Sequence, residues 1–131
     1  RYLANPRAAD GDVRHAMTAL RFYHEYGHEI PLDRLQQAMR HVLARSEFAA
    51  AAITDLARWK DWGALEQIVN LYSRAGYGQP AIRRAIVGYL MACPEAASEK
   101  ALARLRQLDP EGIAAAEQIL SRASGRPPSQ E

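Results

Sequence analysis

The chain has little cysteine, little lysine and no long apolar run, and each shortage closes off a class of explanation. One cysteine, Cys93, stands among 131 residues, so no internal disulfide can staple the fold and the redox compartment is not legible. No apolar stretch approaches the roughly 18 residues that span a membrane as a helix. Lys60 and Lys100 are the sole lysines against 15 arginines. Positive charge is therefore carried by planar groups that grip carboxylates and phosphates two bonds at a time. Biased genomic composition in an alanine-packed chain accounts for the same excess. The net charge of +2 is too small to argue alone for a nucleic-acid or membrane partner. Neither an initiator methionine nor a signal-like segment opens the chain at Arg1, which reads as a piece of something longer, with localisation left open.

What is present is helical periodicity. The length suits one domain that buries about two-thirds of the surface its unfolded chain would expose. The first helix is expected from Asp12 to Tyr26 with Val13, Ala16, Met17, Leu20 and His24 on one face, Asp12 as N-cap and Gly27 as C′ glycine. Pro31 opens a second helix carrying Leu32, Leu35, Met39, Val42 and Leu43. Ser46 caps a third, with Ala49, Ala52, Ile53 and Leu56 inward. A fourth carries Leu65, Ile68, Val69 and Tyr72 and ends near Gly76. Pro80 leads into a fifth, through Cys93, that is apolar on most sides and so the most enclosed. A sixth carries Ala97, Ala101, Leu105 and Leu108. Asp109-Pro110-Glu111 opens a seventh with Ile113, Ala116 and Leu120. No stretch alternates as a strand does.

These helices repeat. Val13, Phe48 and Ile82 occupy equivalent starts in the odd-numbered helices, and Leu35, Ile68 and Leu102 equivalent places in the even ones, at spacings of about 34 residues. One helix pair per period describes an all-α stack in which neighbouring pairs supply each other's core. Residues 1–11 read as the remnant of an upstream repeat and its turn, 12–123 as three helix pairs plus one helix, and 124–131 as a disordered tail. Phe22 and Tyr26 form a second apolar stripe on the first helix, so apolar surface is expected there, for upstream repeats to cover.

Gly11-Asp12-Val13-Arg14-His15-Ala16 resembles HEAT-like repeats of the phycobilisome-lyase type, and Ile82-Arg83-Arg84-Ala85 is similar to a weaker copy. The resemblance spans about residues 10–122. It departs at Ser46-Glu47-Phe48-Ala49, where the family's Asp and Arg positions are missing and the middle repeat rests on spacing. It implies a right-handed α-α superhelix (a HEAT-like solenoid) that is usually a surface for proteins and sometimes for nucleic acid. A few members of that family are enzymes, bilin lyases and a DNA glycosylase group. The chain is also similar to segments of large uncharacterised bacterial proteins, which implies no activity.

Three features carry candidate chemistry. His24-Glu25-Tyr26-Gly27-His28 has the H-E-x-x-H spacing of a zinc hydrolase, in which two histidines one turn apart hold the metal and the glutamate activates water. Against it, Gly27 stands where the helix ends, His24 falls on the apolar stripe, and Glu47 is the one sensible further ligand. Trp59-Lys60-Asp61-Trp62, with Arg58, is the second feature. An exposed aromatic pair would stack a base or anchor a peptide. Alternatively Asp61 caps the fourth helix while one tryptophan packs beneath the loop. The third is arginine placement (Arg14, Arg34, Arg40, Arg45, Arg83, Arg84, Arg104 and Arg106). It makes either a phosphate or acidic-peptide face or ordinary inter-repeat ion pairs. Cys93 reads as a small hydrophobe.

The expectation is a non-enzymatic protein-interaction segment of a longer repeat protein, with no cofactor. Its partner is another protein or the upstream repeats. Nucleic-acid or phosphoprotein binding through Arg58, Trp59, Trp62, Arg83 and Arg84 is the first alternative. Zinc chemistry at His24, Glu25 and His28 is the second.

Overall fold

The computed structural model describes residues 9–27 and 30–123. His28, residues 1–8 and the tail expected from 124 onward lie outside that range. Among the described residues there are seven α-helices and no strand: α1 (Asp10–Tyr26), α2 (Leu32–Val42), α3 (Ser46–Arg58), α4 (Leu65–Leu71), α5 (Pro80–Ala92), α6 (Ala96–Leu108) and α7 (Pro110–Ala123). The chain divides between Ala64 and Leu65 into two compact units.

In the first unit α1 begins at Asp10, not Asp12. Ala9 holds the N-cap position in extended backbone, and Asp12 sits in the first turn, where its charge favours the helix N-terminus without a capping bond. Gly27 ends the helix in extended backbone rather than the left-handed form expected (φ −95°). Its role is a close approach instead, since a Cβ there would lie 3.1 Å from the Tyr23 carbonyl oxygen. Pro31 is the N-cap of α2, and Arg45, not Ser46, that of α3. Val13 and Met17 of α1, Leu35, Met39 and Val42 of α2, and Ala49, Ala52, Ile53 and Leu56 of α3 form the core. Leu32, expected inside, is exposed at the first position of α2.

α3 closes with a device the sequence reading missed. The Asp61 N–H donates to the Leu56 carbonyl and the Lys60 N–H to the Ala57 carbonyl, while Lys60 takes a left-handed φ of 57°. This is the paired-bond helix stop in which glycine usually occupies the left-handed position. It turns the chain into a 3-10 turn, Trp62–Ala64. There the Asp61 carboxylate takes the Arg40 guanidinium with two bonds, Nε to Oδ2 at 2.7 Å and Nη2 to Oδ1. Asp61 therefore ties α2 to the end of α3.

In the second unit α4 stops at Leu71, five residues short of Gly76, so Tyr72 lies beyond the helix. α5 is the most enclosed helix: it exposes only Pro80, Ala81 and Ala92, at its two ends. Ile82, Ile86, Val87, Tyr89 and Leu90 are buried. α6 turns Ser98, Ala101, Leu102 and Leu105 inward. Ala97 and Leu108, expected there, are exposed. Asp109 caps α7 as expected, accepting the Gly112 N–H at 3.1 Å.

Candidate functional site

Two triplets of side chains, each at helical spacing i, i+3, i+4 and so on one face, meet in the first unit. Arg21, His24 and Glu25 come from α1, and Asp55, Arg58 and Trp59 from the end of α3. Corresponding members are 34 residues apart, the repeat period. Arg21 Nε donates to Asp55 Oδ2 at 2.7 Å and Arg58 Nη1 to Asp55 Oδ1 at 3.3 Å. The Asp55 side chain is 3% exposed, against 40% for Arg21 and 62% for Arg58. A buried carboxylate thus fixes two solvent-facing guanidiniums. Beside them the His24 ring lies flat on the Trp59 indole, centroids 4.5 Å apart and planes 7° from parallel. Arg21, His24, Glu25, Tyr26, Arg58 and Trp59 line an open groove of roughly 330 Å³.

Tyr26, which lines the groove, is one of three exposed aromatics of α1: Phe22, Tyr23 and Tyr26 are 58%, 41% and 67% exposed. Phe22 touches both tyrosines, with ring centroids 6.1 Å from Tyr23 and 5.3 Å from Tyr26.

Several sequence expectations change here. Trp59 is buried against His24, and Trp62 is half-buried in the 3-10 turn, so the two tryptophans are not an exposed stacking pair. His24 is occupied by that stacking, α1 ends at Tyr26, and Glu47 is an exposed first-turn residue of α3. Among the described residues no three His, Cys, Asp or Glu side chains are grouped to hold a metal. Arg21 and Asp55 were not singled out from the sequence. The available signal was an aspartate on the apolar face of α3 with an arginine one repeat earlier.

The remaining arginines are largely engaged within the protein. Arg45 pairs with Asp10 at 2.8 Å, and Arg45 and Arg14 both lie over the Phe48 ring. Arg106 pairs with Glu117 at 2.7 Å, whose carboxylate raises the guanidinium pKa. Arg83 and Arg84 belong to the second unit. Arg84 is half-buried on α5. Arg83 lies over the Tyr72 ring at 4.9 Å, with its Nη1 3.9 Å from Asp109.

Tyr72 in turn donates its hydroxyl to Asp109 Oδ2 at 2.7 Å. Burial first, then that bond and the neighbouring negative charge, push the Tyr72 phenol up to about 12. The same bond, with the Gly112 amide and the Arg83 charge, holds Asp109 below the ordinary carboxylate value. This cluster has the form of a structural joint: a cap, a buried hydroxyl and a guanidinium on one carboxylate. Comparison of the chain with family models, with curated proteins and with solved structures returns no match.

Proposed function

We propose that this chain is a non-enzymatic protein-interaction module, a run of helix-pair repeats that offers the outer face of α1 to a partner polypeptide. The observation that carries the reading is the exposed cluster Phe22, Tyr23 and Tyr26 beside the α1/α3 groove. Aromatic residues carry much of the energy of protein interfaces. A cluster of three on one helix, rimmed by charged groups, is more than the scattered apolar exposure of ordinary surfaces. The helix-pair period supports the repeat half of the reading. Ion pairs bridge α1 and α3 at separations of 34 and 35 residues, and the likeness to HEAT-like repeats points the same way. The arginines favour a protein partner over a phosphate backbone, because eight of the twelve described ones are held by carboxylates or aromatic rings of the chain itself. An adjoining repeat of the same polypeptide is a partner of the same kind.

The test places a photo-crosslinking amino acid at position 26 in the chain expressed in its native host, with position 107 on α6 as control. A single polypeptide adduct is expected at 26, competed by unlabelled chain and lost with Phe22→Ser. Equal labelling at both positions, or adducts to nucleic acid, would remove the reading.

A further inference from the structure

We infer that the α1/α3 groove is a binding site for one anionic side chain, carboxylate or phosphate, of a polypeptide whose neighbouring residues are apolar. The inference rests on the interaction reading above and names the chemistry that the same surface recognises.

The Asp55 side chain is almost wholly enclosed, 3% exposed. A carboxylate this deeply buried needs its partners, and here both of its oxygens are taken by guanidiniums from two different helices. Each arginine uses one N–H on Asp55 out of five, and neither has another described partner. Arg21 and Arg58 both line the groove while remaining open to solvent. Two forks held in place by a common buried anion are preorganised for a second anion. The side-chain entropy that binding would otherwise cost is already lost.

Net charge sets the size of the ligand. Arg21, Arg58 and Asp55 together carry one positive charge, and Glu25, which also lines the groove, adds a negative one on the rim. The guanidinium pair with Asp55 thus has one charge to offer, and with Glu25 counted the lining is neutral. One anionic group therefore fits, at the arginines and away from Glu25, and a second does not. A nucleic-acid strand does not fit, because its closely spaced phosphates need a run of unpaired cations. The apolar half of the ligand follows from the other walls: Tyr26, the Trp59–His24 stack and the adjoining Phe22 give aromatic surface within one or two residues' reach of the guanidiniums. The neighbours facing this cluster are thus Glu25 and His24 on α1 and Asp55 and Arg58 on α3.

The experiment is a titration followed by nitrogen-15 NMR on the full chain. It reads the Nε–H signals of Arg21 and Arg58 and the indole N–H of Trp59. The probes are acetyl-Leu-Glu-Leu-Leu amide, its Gln and phosphoserine counterparts, and a single-stranded RNA decamer. The Glu or phosphoserine peptide is expected to shift these three signals together and to bind at least tenfold tighter than the Gln peptide. The tighter of the two identifies carboxylate or phosphate as the natural anion. Arg58→Gln, which leaves Asp55 its shorter bond to Arg21 and so preserves the fold, should weaken binding at least fivefold. Arg104→Gln, on the exposed face of α6, should leave it unchanged.

Equal binding of the Glu, phosphoserine and Gln peptides, lost with Phe22→Ser, overturns the anion site while leaving the aromatic interaction face intact. RNA binding tighter than either anionic peptide, falling steeply with salt, overturns both. No shift of the three signals by any peptide at 5 mM (about the weakest affinity worth a site) also overturns the anion site.

Discussion

Removing Arg21 should destabilise the first unit more than removing its partner Asp55, although the two share one bond. The Asp55 side chain is 3% exposed and Arg21 40%. In Arg21→Met the aliphatic stem is roughly preserved. Asp55, however, keeps one longer bond, to Arg58 at 3.3 Å, while remaining buried. A buried charge stripped of its main partner costs about 2–4 kcal/mol, towards the lower end where water reaches the edge of the site. Asp55→Asn removes the charge itself, keeps one acceptor, and leaves two arginines that hydrate freely. Its cost should be about 1–1.5 kcal/mol. Once the carboxylate is gone Arg21 has little left to contribute, so the double variant should fall short of the sum by about 1–2 kcal/mol. Urea unfolding followed by tryptophan fluorescence reads this directly, because Trp59 and Trp62 both lie in the first unit. Additive effects, or Asp55→Asn costing more than Arg21→Met, would refute the picture of a buried anion held by two solvent-facing cations.

Four further outcomes are expected. Tyr72→Phe should cost about 1–2 kcal/mol by deleting the bond to Asp109, and it should flatten the alkaline end of the stability profile. The raised phenol pKa means that its stabilisation is complete below the unfolded value near 10 and is lost as pH climbs from 10 through 12. At the acid end the lowered Asp109 pKa works the other way, with stability present above the unfolded value of 3.8 and lost as pH falls through the folded one. Circular dichroism across pH with the Phe variant checks both limbs. Lys60→Gly should stabilise the first unit by about 0.5–1 kcal/mol, since glycine relieves a left-handed φ of 57°; a loss of stability would show that the lysine side chain holds the turn. Leu105→Ala should cost about 2–4 kcal/mol and Leu108→Ser less than about 0.5 in thermal melting, and the reverse order would mean α6 is rotated. Chelators should leave the melting temperature unchanged, and stoichiometric zinc lost on His24→Ala would restore the hydrolase reading.

The helical layout was legible because two independent signals coincide. Apolar residues recur at the helical period, and the helices themselves recur every 34 residues or so. All six positions matched across repeats (Val13, Phe48, Ile82, Leu35, Ile68 and Leu102) are buried. Helix ends were less legible. Asp12 and Ser46 are residue types that cap, yet both stand inside the first turn, because a composition cue does not say which of two neighbouring residues leaves helical backbone. Leu32 and Leu108 continue an apolar stripe but are the first residue of α2 and the last of α6, and at those ends both are exposed.

The groove was illegible for a different reason, and the reason suggests how to find others like it. Polar side chains were weighed along the chain, as local motifs such as His24-Glu25-Tyr26-Gly27-His28 or Trp59-Lys60-Asp61-Trp62. In a repeat fold the neighbours that matter are one period away. Arg21 meets Asp55 at a separation of 34, Arg45 meets Asp10 at 35 and Tyr72 meets Asp109 at 37. Asp55 alone was a sufficient flag, for a carboxylate among Ala52, Ile53 and Leu56 cannot be buried unpaired. Looking one period back from it leads to Arg21, and one helical turn on from each leads to His24 and Arg58. Trp59 then follows from the left-handed stop at Lys60, which ends α3 at the height of His24 and turns an aromatic that looked exposed into the groove's floor.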